Sequence, residues 1–153
     1  MSKGEYAGLF RYFVERDSKY LNWRFIKNPR YRYKIFCAKK GRLFLGYSAV
    51  KFYEDQEQVF GDIVDIFCPF DRDLFQFLIW ESVNYLSLKA ETICCWMNEH
   101  CEFHRYLHEM GFQDGSFITH FGVRPLSDLA EVERRYLTEY RNWYLTMGDS
   151  DVY

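Results

Sequence analysis

The apolar residues of this chain change period twice between residues 33 and 96, and that succession constrains the fold more than any other feature of the sequence. Tyr33–Ala38 and Leu43–Phe52 are rich in β-branched and aromatic residues, and Lys39-Lys40-Gly41-Arg42 between them reads as a hairpin turn. Glu54–Gln58 is a second polar turn and Val59–Phe67 a third strand, so three consecutive strands make an antiparallel meander. From Asp71, a good N-cap, the period lengthens: Leu74, Phe75, Leu78, Ile79, Ser82, Val83 and Leu86 share one broad helical face. Thr92–Trp96 returns as a short, wholly apolar run, the pattern of a strand buried on both faces.

The flanks complete the order. Residues 4–20 carry Tyr6, Leu9, Phe10, Phe13 and Val14 at helical spacing, and Asn28-Pro29 then breaks the chain. The spacing predicts a helix over Glu99–Met110, with Phe103, Tyr106, Leu107 and Met110 inward and Gly111 as its C′ glycine. Phe117–Val123 reads as a strand, and Ser127 caps a last helix through Leu145 along Leu129, Val132, Tyr136 and Trp143. Residues 126–153 thus form a C-terminal helix and a polar tail containing Asp149 and Asp151. The expectation is one α+β domain over 1–153 with a mixed sheet: helix, three-stranded antiparallel meander, helix, strand, helix, strand, helix. With 21% aromatic residues, its core must be built from large flat side chains.

Several classes are excluded by composition. No apolar run approaches the roughly 18–20 residues a membrane helix needs. MSKGEYAGLFRYF lacks the apolar h-region of a secretory signal. Five cysteines with no CxxC read as reduced thiols, so a cytoplasmic location is expected. Charge is segregated: Ser18–Tyr53 holds ten basic residues and no acid, whereas residues 54–153 hold seven basic and nineteen acidic ones. Tyr20, Trp23, Phe25, Tyr31, Tyr33 and Phe36 interleave the basic stretch. Three readings stay open: a basic half folded against an acidic half, a site for an anion, or nucleic-acid binding through residues 19–42. No RNP, zinc-finger or KH signature supports the last.

The element order, with specific residues, resembles the GNAT superfamily of N-acetyltransferases. Three segments carry the resemblance: Tyr20-Leu21-Asn22-Trp23-Arg24-Phe25 with Asn28-Pro29, Gly61–Phe67 in the third strand, and Leu107 through Gly111-Phe112. The leading YLxWRF…NP and the closing GDSD are similar to GNAT-like proteins found with bacterial surface-polysaccharide genes, and the likeness covers about residues 16–125. It implies acyl transfer from acetyl-CoA or another acyl-CoA to an amine, such as an amino sugar. The strand at Val59–Phe67 would splay from the one at Thr92–Trp96, and amides of Val64, Ile66, Phe67 and Cys68 would hold the pantetheine. The next helix N-terminus, with Arg72, would face the pyrophosphate.

The chain departs from the family pattern at two places. Where the family has a glycine-rich phosphate loop, this sequence reads Phe67-Cys68-Pro69-Phe70-Asp71-Arg72-Asp73, with no glycine between Gly61 and Gly111. Pro69 removes an amide donor, and Asp71 and Asp73 put carboxylates where phosphates would sit. The family's Asn-x-x-Ala-x-x-x-Tyr pattern falls on His100, Phe103 and Leu107, and leucine cannot protonate a thiolate. Tyr106 is adjacent but turned by about 100°. A scaffold without catalysis, acting as a binding or assembly module, is therefore the alternative to an acyltransferase.

Single residues carry both chemical and structural readings. Asp65, within Ile63–Phe67, is a candidate general base for an incoming ammonium, or a structural carboxylate bound to a strand end or to an Arg such as Arg24. By strand parity Asp62 lies on the opposite face and is solvated. Asn98 is placed to offer its amide to a substrate carbonyl, or to cap the helix that follows. Trp23 and Arg24, with Tyr106, are candidates for the acceptor pocket. Cys94 and Cys95 read as buried filler rather than nucleophiles. His100, His104 and His108 form a stripe, but the outer two lie about 12 Å apart, and no carboxylate at ligand spacing completes a site, so no metal is expected. A small amine is the expected partner, with a homodimer as an open arrangement.

Overall fold

A computed structural model of the chain describes residues 10–115 and 120–150. The helical spacing of Tyr6 and Leu9, residues 117–119 of the expected Phe117–Val123 strand, and Asp151 of the tail lie outside the described residues. Strand β1 (Tyr12–Phe13) comes first, then α1 (Ser18–Leu21), which continues as a π-helical turn over Asn22–Ile26. Asp17 starts α1, its carboxylate accepting from the Tyr20 amide at 2.7 Å. The long helix expected over residues 4–20 is therefore replaced, in its described part, by a strand, a loop and the start of the short helix α1.

The meander is present: β2 (Lys34–Lys40), β3 (Leu43–Asp55) and β4 (Gln58–Phe67) pair antiparallel. Gly41, at φ +61°, supplies the left-handed residue of the first turn. In the second, Gln56 and Glu57 both take positive φ, 48° and 70°, as a two-residue primed hairpin turn demands. Helix α2 (Arg72–Leu86) crosses the sheet and delivers β5 (Thr92–Cys95) parallel to β4, giving a mixed sheet in the order β2-β3-β4-β5. Asp71 caps α2 as its residue type predicts, accepting from the Leu74 amide at 3.0 Å. One face of the sheet packs on α2: the Ser48 and Ser82 hydroxyls meet at 2.8 Å, and a side chain at Gly61 would strike Leu86.

Several expected elements are altered. Strand β5 is an edge strand among the described residues and only partly buried, not sandwiched on both faces. Helix α3 runs over Glu102–Glu109 with Cys101 as N-cap, later than Glu99. The C-terminal helix is shorter than expected: α4 spans Glu131–Thr138 without a side-chain cap, so Ser127 does not start it. Glu139, at φ −85° and ψ 116°, ends it, and β6 (Trp143–Tyr144) then pairs parallel with β1. The described residues of 120–123 form no strand. The core is aromatic as composition requires: Phe75 stacks on Phe103 at 4.2 Å between centroids, and Phe103 on Phe70 at 4.4 Å. No helix of the described residues is long and apolar enough to cross a membrane.

Candidate functional site

Strand β4 carries an extra residue at its centre. Asp65 lies opposite Ala49 but Ile63 opposite Val50, so Val64 has no counterpart in β3 and forms a bulge. Asp62 faces Lys51, and Ala49 and Lys51 are two residues apart, so the bulge returns Asp62 and Asp65 to the same face, away from α2. Simple parity fails here, and Asp62 is buried rather than solvated, at 1% exposure. Its carboxylate lies 3.7 Å from the Lys51 ammonium, and Oδ2 has no hydrogen-bond partner. Burial, opposed by Lys51, pushes the Asp62 pKa up to about 6.

Asp65 is fully enclosed and its oxygens are saturated. Arg16 donates from Nε at 3.2 and 3.1 Å and from Nη2 at 3.1 Å, Thr146 Oγ1 donates at 2.8 Å, and the Tyr47 hydroxyl closes on Oδ2. Arg16 Nη2 also reaches Asp149 Oδ2 at 2.7 Å, and Nη1 donates to the Val14 carbonyl at 2.8 Å. Burial opposes the Arg16 charge, but Asp65 and Asp149 override it and hold its pKa well above the usual arginine value. Burial and then Asp65 likewise raise the Tyr47 hydroxyl, and burial pushes Tyr20, which donates to the Gly148 carbonyl at 3.0 Å, up to about 12. Every strong acceptor direction on Asp65 is taken, so this geometry offers an ammonium no base. The partner is Arg16, not Arg24, whose Nη2 donates to the Ser150 carbonyl instead. Arg16, Tyr47 and Thr146 escape a reading of the sequence because no local spacing links them to Asp65; only the closing GDSD hinted at Asp149.

The β4–β5 ladder ends at Ile63 opposite Cys95, four residues before β4 itself stops at Phe67. The wedge beyond that pair is filled. Tyr144 of β6 donates its hydroxyl to the Ile66 carbonyl, and its ring lies 5.1 Å from Phe10, 5.9 Å from Phe67 and 6.3 Å from Phe103. What remains beside Tyr144 and Cys68 is a void of about 10 Å³, the room of a single water. Of the residues expected along the donor arm, Val64 and Ile66 are fully buried, and Phe67 and Cys68 are walls of that void. Burial pushes the Cys68 thiol far up, and Cys95 up to about 12, so neither supplies a thiolate. Arg72 turns to Glu109 at 2.7 Å.

The remaining candidates do not gather. Asn98 is fully buried and engaged: Nδ2 donates to the Tyr140 and Trp143 carbonyls at 2.9 and 3.1 Å, and Oδ1 accepts from the His100 amide at 2.9 Å. It pins the C-terminal segment to the end of β5 rather than facing a substrate or capping α3. Trp23 is 66% exposed on the π-helical turn, beside Tyr20. Tyr106 belongs to α3, packed on Phe75 of α2 beneath the Arg105 guanidinium. Trp23, Arg24 and Tyr106 thus have separate surroundings.

An open groove of about 1040 Å³ lies between the end of β5 and the C-terminal segment, its walls including Trp96, His104, Asp114, Tyr140, Trp143 and Asp149. Aromatic side chains together with carboxylates and imidazoles in its lining suit a small polar ligand. No family model and no curated protein matches the chain. Among solved structures, the wild type and a point mutant of TTHA1254 from Thermus thermophilus are similar over 62% of this chain and 72% of theirs. Identity is 15% and 14%, with a TM-score of 0.46 for each, a likeness too slight to place the chain in a family.

Proposed function

We propose that this chain is a GNAT-like scaffold that has lost acyl transfer and serves as a binding or assembly module. One observation carries the reading: the wedge beyond Ile63 and Cys95, where a thioester carrier would enter, is occupied by Tyr144, Phe10 and Phe103. Asp71 supports it, because its carboxylate already caps the α2 N-terminus that would otherwise receive the pyrophosphate. The groove lined by Trp96, Tyr140 and Trp143 is then the surface left for a ligand. Calorimetric titration of the full chain with acetyl-CoA and with desulfo-CoA tests the reading. No heat with either is expected, and saturable heat with either overturns it.

The second reading, acyl-CoA-dependent N-acylation of a small amine, has one specific observation in its favour: β4 outruns its parallel neighbour by four residues and is bulged at Val64. That reading requires the Tyr144 ring to leave the wedge. Turnover of acetyl-CoA with a panel of amines, followed by thiol release, would establish it.

A further inference from the structure

Helix α3 presents His104 and His108 one turn apart, and the chain then reverses at Gly111, which takes φ +93°. That reversal returns Asp114 to the same stripe, a contact no sequence spacing announces. The Asp114 Oδ1 lies 3.0 Å from His104 Nε2 and 3.2 Å from His108 Nε2, and the two rings are 4.6 Å apart. All three donor atoms lie within 4.8 Å of one another. An ion bonded at about 2.0–2.2 Å to each member of a tetrahedral set holds its donors about 3.3–3.5 Å apart. The two histidine-to-carboxylate distances are already close to that edge.

We infer that His104, His108 and Asp114 form a binding site for a late first-row divalent cation of the zinc type. Two imidazoles and one carboxylate suit zinc, nickel or copper better than magnesium or calcium, which favour all-oxygen sets. His104 and Asp114 also line the large groove, so the position left open by three protein ligands adjoins it. His100 takes no part, since it leaves the helix and faces Glu99 at 3.7 Å. The inference stands independently of whether the groove binds an organic ligand.

The test is titration of the metal-depleted full chain with Zn²⁺, repeated on His104→Ala, His108→Ala and Asp114→Asn, with His100→Ala and Cys37→Ser as controls. One equivalent should bind the parent chain, and each of the three variants should lose at least about tenfold in affinity, the scale on which even an outer-shell partner counts. Both controls should match the parent. Substituted Co²⁺ should give visible d–d absorption without a thiolate charge-transfer band. The three groups are at least partly solvent-exposed, so the variants should keep the parent's circular dichroism. Absence of binding, binding indifferent to all three substitutions, binding lost with Cys37→Ser (an exposed thiol), or a Co²⁺–thiolate band would each overturn the assignment.

Discussion

Asp65 and Asp62 sit three residues apart on one strand face, both buried, but their partners differ. Asp65 is met by a guanidinium, two hydroxyls and no water-facing edge, so its charge is matched in place. Removing it leaves Arg16 buried with Asp149 as its remaining carboxylate. Asp65→Asn should therefore cost about 3–5 kcal/mol of folding stability, measured as a shift in urea midpoint at unchanged slope. A cost below about 1 kcal/mol would mean that the network is not what holds this face. Asp62 has a looser partner, 3.7 Å away, and burial raises its pKa to about 6. Because the folded-state value is raised, the folded chain binds the proton more tightly than the unfolded one. The associated stability is present below the ordinary value and lost as pH rises through about 6. Asp62→Asn, nearly isosteric with the protonated acid, should match the parent near pH 4 and overtake it by pH 7. Urea midpoints at successive pH values check this, and a variant that falls behind as pH rises would make the Lys51 pair net stabilising.

At the scale of elements, α2 and the meander were legible because their signals are local. Asp71 before a periodic apolar face predicts a cap, and the cap is made. Asp71→Ala should cost about 1 kcal/mol, read by denaturation, and should not by itself create affinity for acetyl-CoA, because the aromatic fill of the wedge is untouched. The failures also have local causes. Phe10 and Phe13 have helical spacing, but they serve as anchors: Phe10 packs on Tyr144 and Phe13 on Phe67 from an extended segment. The apolar residues Leu129–Trp143 keep a helical period, yet Glu139 leaves the helical basin and the Trp143 indole folds back to donate to the Leu137 carbonyl at 2.8 Å. The β4 bulge has no signature in Ile63-Val64-Asp65, since a bulge is set by pairing with β3 and not by residue type. That single inserted residue reverses the face assigned to Asp62.

Among the described residues, the N-terminal segment around Tyr12–Arg16 and the C-terminal segment around Trp143–Asp149 meet over β4. Strand β1 pairs with β6, and Arg16 from the N-terminal segment touches Asp65, Thr146 and Asp149 across separations of 49, 130 and 133 residues. Contacts of such span leave no pattern in sequence, which is why the candidate site was legible only as an isolated Asp65 and not as the network that occupies it. The same closure fills the wedge, because Tyr144 stands two residues before Thr146 and enters with it. Pairing of the two terminal segments and filling of the wedge beyond Ile63 thus come together in this chain. A double-mutant cycle measures how strongly the ends are coupled. Arg16→Met and Asp149→Asn, singly and together, should show an interaction energy of about 1–3 kcal/mol, because the 2.7 Å ion pair is enclosed on both sides. The cycle should also leave a single unfolding transition, since both ends pack on the same central strand. Additivity within about 0.5 kcal/mol would mean that β4 holds each end separately, and that Tyr144 could leave the wedge without unseating Arg16.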